Sequence, residues 1–134
     1  MGTISLVQTY LDAFNRGDNE AMLACLQEDV VHDVNEGGRE IGKDRFRQFN
    51  ATMTQHYKEQ LQDIVILVSP DQTRAAAEFT VVGEYLRTAE GLPTATGQIY
   101  RLPAGIFFEV ANGLISRVTT YYNLADWTAQ VAGS

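Results

Sequence analysis

The stretch QIYRLPAGIFFEVANGLISRVTTYYN, residues 98–123, decides the fold. Two runs rich in Ile, Val, Phe, Thr and Tyr flank Asn112-Gly113. An Asn-Gly pair readily takes the positive φ angles of a type I′ turn, whose twist matches that of paired strands. The stretch therefore predicts one long antiparallel hairpin, 98–110 with 114–122. Pro103 lacks the N–H that a ladder needs, which predicts a bulge or bend near 103–105. Strands this long and apolar need cover on at least one face, and the earlier part of the chain can supply it as helices.

Working back from the hairpin, residues 73–86 alternate, with Ala75, Ala77, Phe79 and Val81 on one face and Glu78 and Thr80 on the other. Residues 61–69 form a partner strand that ends at the turn pair Pro70-Asp71. Between strand and hairpin, residues 87–97 are rich in Gly, Pro and Thr and predict a mobile loop. Nearer the N-terminus, Ile4, Val7, Leu11 and Phe14 make one helical stripe over 3–15, with Tyr10 on or beside it. Gly17 suits a left-handed helix end, and Asp18 can cap a second helix over 19–26. Residues 29–35 are short and β-branched, a strand. They turn at Gly37-Gly38 and return briefly at Glu40-Ile41. A third helix, 43–57, carries Phe46, Phe49, Met53 and Tyr57 on one side. Beyond the hairpin, residues 125–132 predict a short helix with Asn123 as its cap. Helices followed by a meander indicate an α+β fold, a single domain over 1–134. Its curved antiparallel sheet wraps around the N-terminal helices as a cone, and the hollow end is the place to expect a ligand.

Composition narrows the function. The formal net charge of −7 and pI near 4.7 argue against nucleic acid as a partner. No apolar run approaches membrane-spanning length, and the first residues lack the basic and long apolar regions of a signal peptide. The single Cys25 excludes an intrachain disulfide and a cysteine-based zinc cluster. A cytoplasmic protein is the simplest reading. His32 and His56 are too far apart to make a convincing metal set, and Gly37-Gly38 stands alone without a phosphate loop.

The layout of Asn15-Arg16-Gly17-Asp18, then Glu28-Asp29-Val30-Val31, then Gly42-Lys43 opening a helix resembles the nuclear transport factor 2-like superfamily. Within it the chain is most similar to ketosteroid isomerase-like and SnoaL-like polyketide cyclase proteins, over nearly its whole length. The resemblance implies the cystatin-like, ketosteroid isomerase-like roll, a fold shared by enzymes and binding modules. Ketosteroid isomerases use a Tyr on the first helix, an Asp at the end of the first strand and a second acid on a later strand. The Tyr and the second acid hydrogen-bond the substrate oxygen as it gains charge, and the first Asp moves the proton. Tyr10 stands seven residues before Gly17, which matches the family Tyr. Asp33 is the natural match for the base. The segment 29–33 is one residue shorter than the isomerase pattern, however, and an ungapped match turns His32 inward instead. The position of the second acid falls near Ala104-Gly105, and neither residue is acidic.

The candidate catalytic residues are thus Asp33, Tyr10 and His32. Because strand side chains alternate, one of His32 and Asp33 should point inward and the other outward. Candidates to line the hollow are Phe14, Phe49, Met53, Phe79, Phe108, Tyr121 and Trp127, with Trp127 a possible lid. Arg101 and Glu84 are either a substrate clamp or a cross-strand pair. The leading expectation is a homodimer through the sheet. It binds a small hydrophobic carbonyl-bearing molecule and catalyses proton transfer without a cofactor. The competing expectation is a non-catalytic ligand-binding or dimerisation module on the same fold.

Overall fold

In the computed structural model, which describes residues 2–132, two short helices open the chain: α1 (Thr3–Asn15) and α2 (Asn19–Ala24). They are followed by β1 (Leu26–Asp33), β2 (Arg39–Ile41) and α3 (Lys43–His56). The meander β3 (Tyr57–Val68), β4 (Arg74–Tyr85), β5 (Ile99–Ala111) and β6 (Leu114–Tyr122) comes next, and α4 (Leu124–Ala132) ends the described chain. The six strands form one curved, unclosed sheet in the order β2-β1-β6-β5-β4-β3. Every pairing is antiparallel except β1 with β6, which is parallel. The first strand therefore enters beside the last and does not extend the meander.

Alternation along β4 and β5 sets the two faces of the sheet. Ala75, Ala77, Phe79, Val81 and Tyr85 are buried on the concave side, and so are Tyr100, Leu102, Ile106 and Phe108. Against this surface lies the α1 stripe, in which Val7, Tyr10 and Leu11 are almost wholly buried. Ile4, expected in that stripe, is 54 % exposed. Asp18 caps α2 as expected: its Oδ1 accepts from the Ala21 N–H at 3.0 Å. Asn15 fastens α1 to the free side of β3. Its amide donates to the Leu61 carbonyl (3.0 Å) and accepts from the Leu61 N–H (2.8 Å), as a neighbouring strand would. Asn123 accepts from the Asp126 N–H at 3.0 Å and starts α4, one residue earlier than expected.

The expected bulge at Pro103 is absent. Pro103 pairs with Thr80 in an unbroken β4–β5 register, and the β6 ladder begins one residue later, at Ala104. Its missing N–H thus falls where no β6 partner faces it. The irregularities sit elsewhere, between Glu109 and Val110 on β5 and between Gln62 and Val65 on β3. In the β3 bulge Asp63 has φ +55°, a left-handed conformation that costs a residue with a Cβ about 1 kcal/mol or more. The loop 86–98 is fastened by the Tyr85 hydroxyl, which donates to the Pro93 carbonyl (2.7 Å) and accepts from the Ala89 N–H (2.9 Å).

On the convex face an ionic chain crosses five strands. Arg39 on β2 holds Asp33 on β1, which accepts from Thr119 on β6. Arg117 on β6 reaches both Thr119 and Glu109 on β5, and Glu109 also meets Arg74 on β4. Beside it runs an exposed apolar strip. Leu67, the half-buried Ala76 and Phe107 share one cross-strand row, and in the next Val65 and Tyr121 flank the exposed Glu78 and the half-buried Gly105. Asp63→Gly should match or exceed the wild type in stability, whereas Asp63→Val should lose about 1–2 kcal/mol. Urea denaturation midpoints of the two variants check this, and an unaffected Asp63→Val would show that the bulge bears no strain.

Candidate functional site

The concave side of the sheet and the inner faces of α1, α3 and α4 enclose a cavity of about 590 Å³. Most of its wall is apolar: Phe14 from α1, Phe46, Phe49 and Met53 from α3, Phe79 and Val81 from β4, Leu102 and Ile106 from β5, and Trp127 from α4. Trp127 is 4 % exposed and packs edge-on against Tyr57, Tyr85 and Tyr100, with centroids 5.8, 4.9 and 5.8 Å away. It closes the hollow from the α4 side. Two expected lining residues lie elsewhere. Phe108 is fully buried behind Tyr10, edge to face at 5.7 Å, and Tyr121 is on the convex face against Phe107. The side chain of Tyr121 is on the far side of the sheet because the neighbouring Tyr122 is the one that turns into the cavity.

β1 settles which of the two adjacent candidates faces the cavity. His32 lines the cavity and is 4 % exposed. Its ring is held between Phe46 and Phe49 of α3, at 4.5 and 4.7 Å. Nδ1 is buried without a partner among the described residues, which leaves Nε2 as the nitrogen the ring can present to the cavity. Burial lowers the imidazole pKa below 6.5, and the charges of Glu40 and Asp33 only partly oppose this. The ring is therefore neutral near pH 7.

Asp33 is not a group of the cavity, which corrects its expected place as the base. Its carboxylate is on the convex side, where Arg39 binds it through both oxygens (2.6 and 3.1 Å) and the Thr119 hydroxyl donates to it at 2.6 Å. The Arg39 hydrogen bond is the main cause that holds its pKa down at about 2. A carboxylate so stabilised is a poor proton acceptor.

Tyr10 lines the same cavity as His32. Burial, and then the Cys25 thiol beside it, push its pKa above the ordinary tyrosine range. The phenol is therefore neutral near pH 7. Asn35, just beyond β1, also lines the space. Its Oδ1 accepts from the Tyr122 N–H at 3.2 Å, while its Nδ2 is buried without a partner among the described residues. Arg101 and Glu84 do not pair. Arg101 is exposed and turns to Gln62 at 3.3 Å.

The cavity wall does carry an acid, on β3. Glu59 on β3 accepts a 2.5 Å hydrogen bond from the Tyr100 hydroxyl. Burial raises its pKa, and the Tyr100 bond works in the opposite direction. Tyr57, Glu59 and Leu61 are each more buried than the exposed Lys58 and Gln60 between them, a period-two pattern. It was hidden because Tyr57 also completes the helical stripe of α3, so the strand was begun four residues too late. Among the described residues no cluster of His, Cys, Asp and Glu is placed to hold a metal ion. No described helix is long and apolar enough to cross a membrane.

Comparison with known proteins follows the same lines. A candidate polyketide cyclase from Pseudomonas putida KT2440 is 56 % identical, with a TM-score of 0.96 and 98 % of each chain covered. One from Xanthomonas campestris pv. campestris is 55 % identical, with a TM-score of 0.94 and 96 % of each chain covered. A third, from Silicibacter sp. TM1040, is 58 % identical at a TM-score of 0.95, covering 97 % of this chain and 95 % of that one. No curated protein matches the sequence. The SnoaL-like domain model matches residues 7–118, and the chain belongs to that family, within the nuclear transport factor 2-like superfamily.

Proposed function

We propose that this protein binds a small, largely apolar, carbonyl-bearing molecule in the cavity and catalyses proton transfer next to the carbonyl. The observation that carries the reading is His32: a buried, neutral imidazole whose Nδ1 is sealed in the wall, leaving Nε2 for the cavity that Tyr10 also lines. His32 Nε2 takes a proton from the carbon beside the carbonyl. The electron pair of that C–H bond moves to the oxygen, and Tyr10 donates a hydrogen bond to the enolate as it forms. The imidazolium then returns the proton to another carbon of the same molecule, or the enolate carbon attacks a second carbonyl of that molecule, closing a ring as the C=O π pair moves to its oxygen, and the imidazolium gives its proton to the alkoxide so formed. The lowered pKa keeps the imidazolium short-lived, which suits a shuttle. The similarity to candidate polyketide cyclases supports a ligand of this kind.

One observation favours the competing reading, a binding module without turnover. Among the described residues no carboxylate or carbonyl orients the His32 ring through Nδ1. Deuterium uptake separates the two. In D₂O, the α-protons of enolisable ketones such as 1-tetralone should exchange faster with the protein than with buffer. His32→Ala and Tyr10→Phe should each reduce the protein-dependent rate by about 10²-fold or more, with the fold intact by circular dichroism. Binding of the ketone with no exchange above buffer would leave the binding module. The rate should rise with pH through a value below 6.5 and then level, because the neutral imidazole is the active form. The same depressed pKa makes the contribution of His32 to stability full above about 6.5, and that contribution is lost as pH falls.

Asp33→Asn should leave exchange unchanged and lower the melting temperature at pH 7 by about 4 °C. The loss should vanish as pH falls below about 3.8 toward 2, where the wild-type carboxylate also protonates. A variant that loses exchange would return Asp33 to the candidates.

The exposed Leu67, Phe107, Val65 and Tyr121, set among alternating charges, support a homodimer through the convex face. A cytoplasmic setting fits the one free, buried thiol, Cys25. Leu67→Glu should convert the dimer to a monomer in sedimentation velocity, whereas a wild type that sediments as a monomer removes the dimer.

A further inference from the structure

We infer that Glu59, set in place by Tyr100, is the docking point for a hydroxyl group of the ligand, so that the cavity selects hydroxylated cyclic ketones over their deoxy analogues. The inference names the substrate class of the cavity and rests on the reading of it given above.

Three residues on three strands make the device. Glu59 on β3 is the register partner of Gly83 on β4, and Gly83 is the partner of Tyr100 on β5. Tyr100 lies across Gly83 and reaches Glu59 two strands away. A Cβ at position 83 would stand 2.4 Å from Tyr100 Cζ, so only glycine leaves room for the ring. The ring is 1 % exposed and its hydroxyl is committed to Glu59 Oε2, so Tyr100 positions and does not itself bind. Glu59 lines the cavity, and among the described residues its second oxygen has no hydrogen-bond donor.

Glycine inside a strand weakens it, and an acid on an apolar concave face is costly to bury. Local costs that converge on one point in a cavity mark a site. A carboxylate has acceptor capacity on both oxygens, and Tyr100 fills only part of it. A ligand hydroxyl completes the set. A ligand without one strips water from the acid and gives nothing back, which is the condition under which a polar site rejects a deoxy analogue. His32 is on β1, with β6, β5 and β4 between it and β3. The ligand therefore carries its carbonyl and its hydroxyl at separated positions.

Isothermal titration calorimetry with the full chain tests this, using 1-tetralone and its 5-, 6- and 7-hydroxy derivatives. At least one hydroxy isomer should bind about tenfold or more tightly than 1-tetralone. Glu59→Leu should abolish that preference while 1-tetralone binds as well as before or better. A merely structural loss would weaken all four compounds alike and overturn the inference. Tyr100→Phe keeps the ring over Gly83 and removes only the hydrogen bond, so it should lower the preference and retain the fold even if Gly83→Ala does not. Binding without any preference, or a preference that survives Glu59→Leu, overturns the hydroxyl site and leaves the proton-transfer reading standing. No binding by any of the four overturns the cavity reading itself, and the hydroxyl site with it.

Discussion

The side-chain alternation of β4 and β5 is the constraint on which the molecule depends. It gives the central strands one face that must be shielded from water and one that tolerates it. α1 shields the part that its stripe of Val7, Tyr10 and Leu11 can reach, and α4 adds Trp127 and Val131 at one side. Neither helix is long enough to fill the curve of six strands. The unfilled remainder is the cavity, bounded on its last side by the aromatic face of α3. The hollow is thus a consequence of too few helices on a strongly bent sheet, and its apolar character follows from the same alternation.

The site divides along the sheet. One end belongs to β1 and α3, with His32 between two phenylalanines and Asn35 beyond it. The other belongs to β3 and β5, with Glu59 under Tyr100. Tyr10 enters from α1. These groups come from five different elements, so no local motif could carry them. What ties them together is register. A one-residue slip of β1 would bring Asp33 inside and put His32 among Arg39, Thr119 and the solvent. The ionic chain on the convex face, anchored on Asp33, opposes that slip.

Much of the fold was legible in the sequence because its strongest signals are periodic. The α1 stripe, the alternation of 73–86 and the Asn112-Gly113 turn each fixed an element nearly to its ends. The orientation of β1 was not legible. Val30, Val31, His32 and Asp33 show no clean polar–apolar alternation, and the strand starts at Leu26, inside what was expected to be helix. The parallel pairing of β1 with β6 is a long-range choice with no local trace. Glu59 was missed for a related reason: Tyr57 fits a helix stripe and a strand face equally well, and only the end of α3 at His56 decides between them. Pro103 was overread, because its missing N–H matters only if a neighbour is present to receive it.

The way Asn15 grips Leu61 bears on how the open edge of the sheet is guarded. β3 is the outermost strand of the meander, twelve residues long, and such an edge is a template on which another chain can build. Here the side-chain amide of Asn15 occupies both backbone groups of Leu61 that an incoming strand would need. Two residues on, the Asp63 bulge breaks the spacing of the remaining groups. No foreign strand can zip along the whole edge, and sheet-to-sheet polymerisation is blocked near its middle by a single carboxamide and a single kink.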